Sequence, residues 1–216
     1  MLKALIFDVD GTLVDNNKLH AKSWEIAFRT FGYDISMSEI LPHIGKGGDL
    51  LVPSIIGKEN DLKHGDKIRK IHNQEYKNMI EKVHLFPGVK ELFHELRERK
   101  IKIAIASSAN KNEIEHYLRE VKDKIEVVVS GDEVKHTKPE PDIFALAIQR
   151  LRIKKEFCAA VGDSVWDIIA AKRVGIPCIV LLSGGNDPEK LKAESPEKIF
   201  QNIEELRKNI DDVLAL

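Results

Sequence analysis

The sequence predicts an α/β protein: a parallel sheet with helices on both faces, and an all-helical segment inserted after the first strand. Three observations predict it. Short apolar runs alternate with stretches of helical periodicity. The alternation stops between about residues 16 and 84, where only helical patterns occur. Acids and hydroxyls follow directly on the apolar runs. Short, partly β-branched runs bounded by Gly, Ser, Asp or Pro read as strands buried on both faces, and their alternation with helices implies a parallel sheet.

The first run is Leu2 to Phe7. The insert follows, with His20, Ala21, Trp24, Ala27, Phe28 and Phe31 on one helical face. Ser36-Met37-Ser38-Glu39 has the form of a capping box and starts a second helix. Asp61 to Val83 reads as one or two more helices, with Gly65 a possible break. The turn Leu85-Phe86-Pro87-Gly88 returns the chain to alternation. The later strands are Ile101 to Ala106, Val127 to Val129, Phe157 to Val161 and Cys178 to Leu182, with Ile199-Phe200 a short last edge strand. The helices between them are Gly88 to Arg99, Asn112 to Val121, Asp142 to Leu151 and Asp167 to Val174, and Asn202 with Glu205 caps a C-terminal helix. The expected organisation is a Rossmann-like core of residues 1–15 and 85–216, with a helical cap of residues 16–84.

Composition narrows the function. Among 216 residues, 43% are hydrophobic and 32% charged, as in a folded globular chain. A net charge of -1 with mixed signs argues against a nucleic-acid partner. No apolar run has the length of a membrane span, and Met1-Leu2-Lys3 does not open a signal peptide. Cys158 and Cys178 lie in buried-strand patterns and read as reduced core thiols, so a cytoplasmic location is expected. A monomer or homodimer is expected.

The chemistry lies at the strand ends, which share one edge of an open parallel sheet. Asp8 and Asp10 sit two residues apart in an extended segment, so both face one side. Such a pair repels unless a cation lies between the two or one is protonated. A solvated Asp-Gly turn would explain this motif taken alone. Asp163 ends a later strand, and Asp167 follows four residues on, one turn into a helix. Helix-dipole compensation explains one of those acids, not both. Four carboxylates without His or Cys favour a hard cation, and Mg²⁺ fits best. Lys138, stiffened by Pro139 and Pro141, offers a positive charge to an anionic substrate. Ser107 and the N–H groups after it, Ser108 included, could hold phosphate oxygens, and Thr12 adds a hydroxyl.

Asp8-Val9-Asp10-Gly11-Thr12-Leu13, Ser107, Lys138-Pro139 and Gly162-Asp163-Ser164-Val165-Trp166-Asp167, in this order, resemble the haloacid dehalogenase superfamily. The insert resembles the cap of the branch containing phosphoglycolate phosphatases and β-phosphoglucomutases. The resemblance implies that Asp8 attacks phosphorus and that Asp10 protonates the leaving oxygen, then activates water. It also implies Mg²⁺ on Asp8, the Asp10 carbonyl and Asp163, supported by Asp167, with Ser107 and Lys138 on the phosphoryl group. Family dehalogenases lack the second aspartate, so Asp10 points to phosphate esters. The expected partner is a small phosphorylated metabolite, by analogy 2-phosphoglycolate or a sugar phosphate. A phosphosugar mutase is the alternative enzyme, and a non-catalytic binding protein a third reading. Lys46, in the turn Ile44-Gly45-Lys46-Gly47-Gly48-Asp49, could meet an anionic group, or the turn is a plain surface loop. His20 reads equally as a residue near the site or as a core histidine.

Overall fold

A computed structural model describes all residues, 1–216, and shows the predicted α/β fold. Strands β1 (Ala4–Phe7), β2 (Lys102–Ala106), β3 (Val127–Val129), β4 (Cys158–Gly162), β5 (Cys178–Leu181) and β6 (Lys198–Phe200) form one parallel sheet. Their order is β3-β2-β1-β4-β5-β6. The central strand β1 pairs with both β2 and β4, and the winding reverses there. Crevices form at such switch points. Phe7 is in register with Ile105 and Val161, so the segments leaving these three strands start side by side.

The insert holds α1 (Asn17–Thr30), α2 (Met37–Ile40), α3 (Gly48–Ile56), α4 (Lys58–Asn60) and α5 (Asp66–Lys77). Trp24, Phe28, Ile40, Leu51 and Ile68 bury one another in a cluster separate from the sheet's. The Ser36–Glu39 capping box forms. Gly65 does not break the helix: Asp61–Gly65 is a π-helical turn running into α5. A Cβ at Gly65 would lie 1.9 Å from Asp61 Oδ1, so the glycine makes room for the Asp61–Arg69 ion pair at 2.7 Å. The connections into and out of the insert run together. Val14 and Leu85 form an antiparallel bridge, and Phe86 N donates to Leu13 O at 2.8 Å.

Alternation along each strand sends side chains to two different layers. Leu5, Phe7, Ile103, Ile105 and Val161 meet α6 (Val89–Glu98) and α7 (Lys111–Tyr117) on one face, with the late helices. The other face is rich in small residues, with Ala4, Ala104, Ala106, Cys158, Ala160 and Cys178 beside Ile6, Val129 and Val180. There α8 (Asp142–Leu151), α9 (Val165–Val174) and α10 (Pro188–Ala193) bring Phe144, Ala147, Ile168 and Leu191 onto the sheet. Both cysteines are free and buried in this layer. Helices α11 (Ile203–Lys208) and α12 (Ile210–Leu214) end the chain, and Asn202 Oδ1 caps α11 by accepting from Glu205 N at 3.0 Å. No helix is long and apolar enough to cross a membrane.

Candidate active site

Asp8 leaves β1 at the switch point and is buried. Its Oδ1 accepts from Lys138 Nζ at 2.5 Å, and the same ammonium lies 2.8 Å from Asp167 Oδ1. Lys138 is wholly buried, a position lysine takes only when paired. Carboxylate oxygens of Asp8, Asp163 and Asp167 lie within 4.8 Å of one another. Three buried acids therefore face one lysine. Burial pushes Asp8 up to about 8, with Lys138 opposing and Asp167 and Asp10 adding to the rise. Burial and Asp167 push Asp163 well up too. Burial also works against the Lys138 ammonium, but Asp167 and Asp8 outweigh it and keep the lysine charged.

The uncompensated negative charge, an all-oxygen donor set and the buried Asp8 Oδ2, which has no hydrogen-bond donor, fit a divalent cation. The surroundings hold the acids firmly. Asp163 accepts from Thr12 Oγ1 at 3.2 Å and from the amides of Asn17 and Asn186, each at 3.0 Å. Asp167 Oδ2 accepts from Ser164 Oγ at 2.6 Å, closing a capping box at the start of α9. A Cβ at Gly184 would stand 1.6 Å from Asp163 Oδ2, so only glycine lets that loop approach.

Asp10 faces the insert. Its Oδ1 accepts from Asn16 Nδ2 at 2.5 Å and lies 3.4 Å from His20 Nε2. Burial would raise Asp10, but His20 and Asn16 outweigh it and hold the acid below its ordinary value. Behind His20 stand Tyr76, stacked at 3.7 Å, and His72, whose Nε2 lies 3.3 Å from His20 Nδ1. Burial pushes His72 down to about 3, so this ring is neutral at physiological pH. With His72 Nδ1 donating to Asn73 Oδ1 at 2.9 Å, its Nε2 accepts from His20. That places a proton on His20 Nδ1, which donates to His72, and leaves His20 Nε2 facing Asp10.

Above these acids lies a cavity of about 200 Å³, roofed by residues 44–49. Residues beside the acid–lysine cluster hold the roof down. Ser108 Oγ donates to Gly45 O at 3.1 Å, and Gly47 N donates to Thr137 Oγ1 at 3.1 Å. Trp166 Nε1 donates to Pro42 O at 3.1 Å. Lys46 Nζ sits 3.9 Å over the Trp166 ring and 3.2 Å from His43 Nδ1.

The structure thus brings Asp8, Lys138, Asp163 and Asp167 into one cluster with Asp10 beside it. Thr12 contacts Asp163, and Ser107 Oγ accepts from Ala109 N at 3.1 Å. Ser108 has its hydroxyl on the roof, while its backbone N–H and that of Asp10 donate to no backbone carbonyl. Lys46 lines the cavity wall against Trp166. Asn16, Asn17, His72, Thr137 and Asn186 join the site only through the fold. The paired amides Asn16-Asn17 directly after the first acid motif were the one available signal. Thr137 and Asn186 are ordinary loop residues until the fold closes.

A buried aspartate at the switch point of a parallel sheet, paired with a buried lysine and roofed by a helical insert, defines an enzyme built around a carboxylate. The chain belongs to the haloacid dehalogenase-like hydrolases, whose family model matches residues 5–181. It is 27% identical over 222 residues to the pyrophosphatase PpaX of Oceanobacillus iheyensis, covering 99% of both chains. It is 29% identical over 217 residues to a phosphoglycolate phosphatase of Photorhabdus laumondii, covering 97% of this chain and 92% of that one. The crystal structure of a hydrolase from Pseudomonas syringae superposes with a TM-score of 0.91 at 28% identity, over 98% and 99% of the two chains.

Proposed function

We propose that this protein is a Mg²⁺-dependent phosphatase that hydrolyses a small phosphomonoester through an aspartyl-phosphate on Asp8. The observation that carries the reading is Asp8 itself. One oxygen is fixed by Lys138, while the other is buried without a donor beneath a cavity sized for a small metabolite. The phosphatase names of two relatives support it. Asp8 attacks phosphorus as a carboxylate, and the bond to the leaving oxygen breaks as Asp10, which must first take up a proton, gives it to that oxygen. Asp10, now a carboxylate, takes a proton from water as the water attacks phosphorus, which frees Asp8 and phosphate. Lys138 and the N–H groups of Asp10 and Ser108 offset charge on the transferring oxygens. Asp8, Asp163 and the Asp10 carbonyl, with Asp167 in support, would hold Mg²⁺, whose part is to neutralise phosphoryl charge. Residues 16–84 act as the cap that excludes water and carries specificity.

Phosphate release from p-nitrophenyl phosphate should stop in EDTA and return with Mg²⁺; full activity in EDTA refutes the reading. A thermal measurement tests the metal separately. Without metal, folded Asp8 keeps its proton up to about pH 8, while its ordinary value is 3.8. The folded state then binds more protons than the unfolded state between those values, so its stability falls as pH rises through that window. Mg²⁺ must displace those protons. The Tm gain from Mg²⁺ should therefore be larger at pH 8 than at pH 5.5, and equal gains would count against metal binding at these acids.

Asp10→Asn should lower kcat by about 10²–10⁴-fold for alkyl phosphates and by clearly less for p-nitrophenyl phosphate, whose leaving group needs no proton. Equal losses for the two substrates would make Asp10 a structural residue.

A further inference from the structure

Two tyrosines meet at the seam between the insert and the core. Tyr76 stands near the end of α5, in the insert, and Tyr117 ends α7, in the core. Their hydroxyls form a hydrogen bond, and both side chains are buried. Tyr76 belongs to the insert by chain order, yet it packs in the sheet's apolar cluster with Tyr117 and not in the insert's own. A buried hydroxyl needs a partner, and two phenylalanines would fill the same space without that need.

What Tyr76 touches gives the pair a use. One amide nitrogen, Asn16 Nδ2, stands 2.5 Å from Asp10 Oδ1 and 2.8 Å from Tyr76 Oη. The amide group carries two protons, one for each. The carboxylate fixes the amide's orientation, because the amide oxygen in that place would repel it. Tyr76 Oη therefore accepts from Asn16, and its own proton is free to go to Tyr117. The Tyr76 ring also stacks on His20 at 3.7 Å, and His20 Nε2 lies 3.4 Å from Asp10 Oδ1. Asn16 and His20, which both meet Asp10, thus rest on Tyr76, one on its hydroxyl and the other on its ring. Asp10 lines the same cavity as Asp8, so the carboxyl held in this way faces the space where an ester would bind.

Resting on the phosphatase reading above, we propose that Tyr117 is a positioning residue for the acid–base step: it fixes Tyr76, and Tyr76 fixes Asn16 and His20 around Asp10. Tyr117 does not line the cavity, so it acts only through these neighbours. Its hydroxyl comes from the core and that of Tyr76 from the insert, so Asp10 is aligned when the insert is seated on the core. Proton transfer to a leaving oxygen requires the acid within hydrogen-bond reach and correctly aimed, and a Tyr76 without its anchor loosens both.

The test measures kcat/KM with Mg²⁺ for phenyl phosphate and p-nitrophenyl phosphate, which are close in shape but differ in how far the leaving oxygen needs a proton. Tyr117→Phe removes one hydroxyl and keeps the ring. It should lower kcat/KM about tenfold for phenyl phosphate, the worth of one buried hydrogen bond, and by about twofold at most for p-nitrophenyl phosphate. Tyr76→Phe should cost as much or more, and the two changes together no more than Tyr76→Phe alone. In an Asp10→Asn background, Tyr117→Phe should have no further effect. A merely structural tyrosine would act on both esters alike, with or without Asp10. Equal losses for the two esters, no loss, or a loss undiminished in the Asp10→Asn background therefore overturns the proposal and leaves the role of Asp10 standing. If Asp10→Asn by itself slows both esters equally, the acid–base role of Asp10 falls and the proposal with it.

Discussion

Replacing Asp8 by Asn is expected to remove at least about four orders of magnitude of kcat while making the metal-free protein more stable. The two effects have one cause. Asp8 is one of three acids packed around Lys138, and its Oδ2 has no donor. An amide cannot act as the nucleophile, and losing a single essential member of a catalytic unit costs about as much as losing the whole unit. The same change leaves two acids facing one lysine, which relieves the crowding that pushes Asp8 up to about 8. Melting curves in EDTA should show Tm raised or unchanged in Asp8→Asn, and the Tm gain from Mg²⁺ should shrink. Steady-state hydrolysis of an aryl phosphate measures the first effect. Activity within a hundredfold of wild type would end the claim that Asp8 is the nucleophile.

Lys138→Met should act in the opposite direction on stability. Lys138 is fully buried, 2.5 Å from Asp8 and 2.8 Å from Asp167. Removing one side of a buried pair leaves the other charge uncompensated and costs about 3–5 kcal/mol. Here it leaves three carboxylates without a counter-charge. For a chain of this size, each kcal/mol moves Tm by about 2–4 °C, so a fall of about 6–20 °C is expected in EDTA at pH 8. The loss should lessen at lower pH, where the acids take up protons, and on adding Mg²⁺. A fall below about 2 °C, or one indifferent to pH and metal, would mean that Lys138 does not balance these acids.

The core strands were legible because a strand buried on both faces is a short apolar run with clear ends, and Val127 to Val129 and Asp142 to Leu151 agree with the structure residue for residue. Element ends were less legible. The first turn of α9, from Val165, was missed because its N-cap, Ser164, looks like part of an acid motif until Asp167 folds back onto it. Gly65 read as a breaker because glycine usually is one. In the fold it is helical, since an ion pair crossing beside it leaves no room for a Cβ.

The α/β class and the order of the acid motifs along the strands follow from the chain alone, which also marks Asp8, Asp10, Lys138, Asp163 and Asp167 as the candidate site. These are local matters: a run's length, a spacing of two or four, a proline beside a lysine. Only the tertiary structure decided what each group touches. Asp163 is held by Asn17 and Asn186, amides from distant loops, and Asp10 is turned toward His20 and a neutral His72 rather than into the three-acid cluster. Ser108 and Trp166 meet the insert. Hydrogen-bond partners and burial are properties of residue pairs far apart in sequence, and no periodicity along one chain encodes which donor reaches which carboxylate.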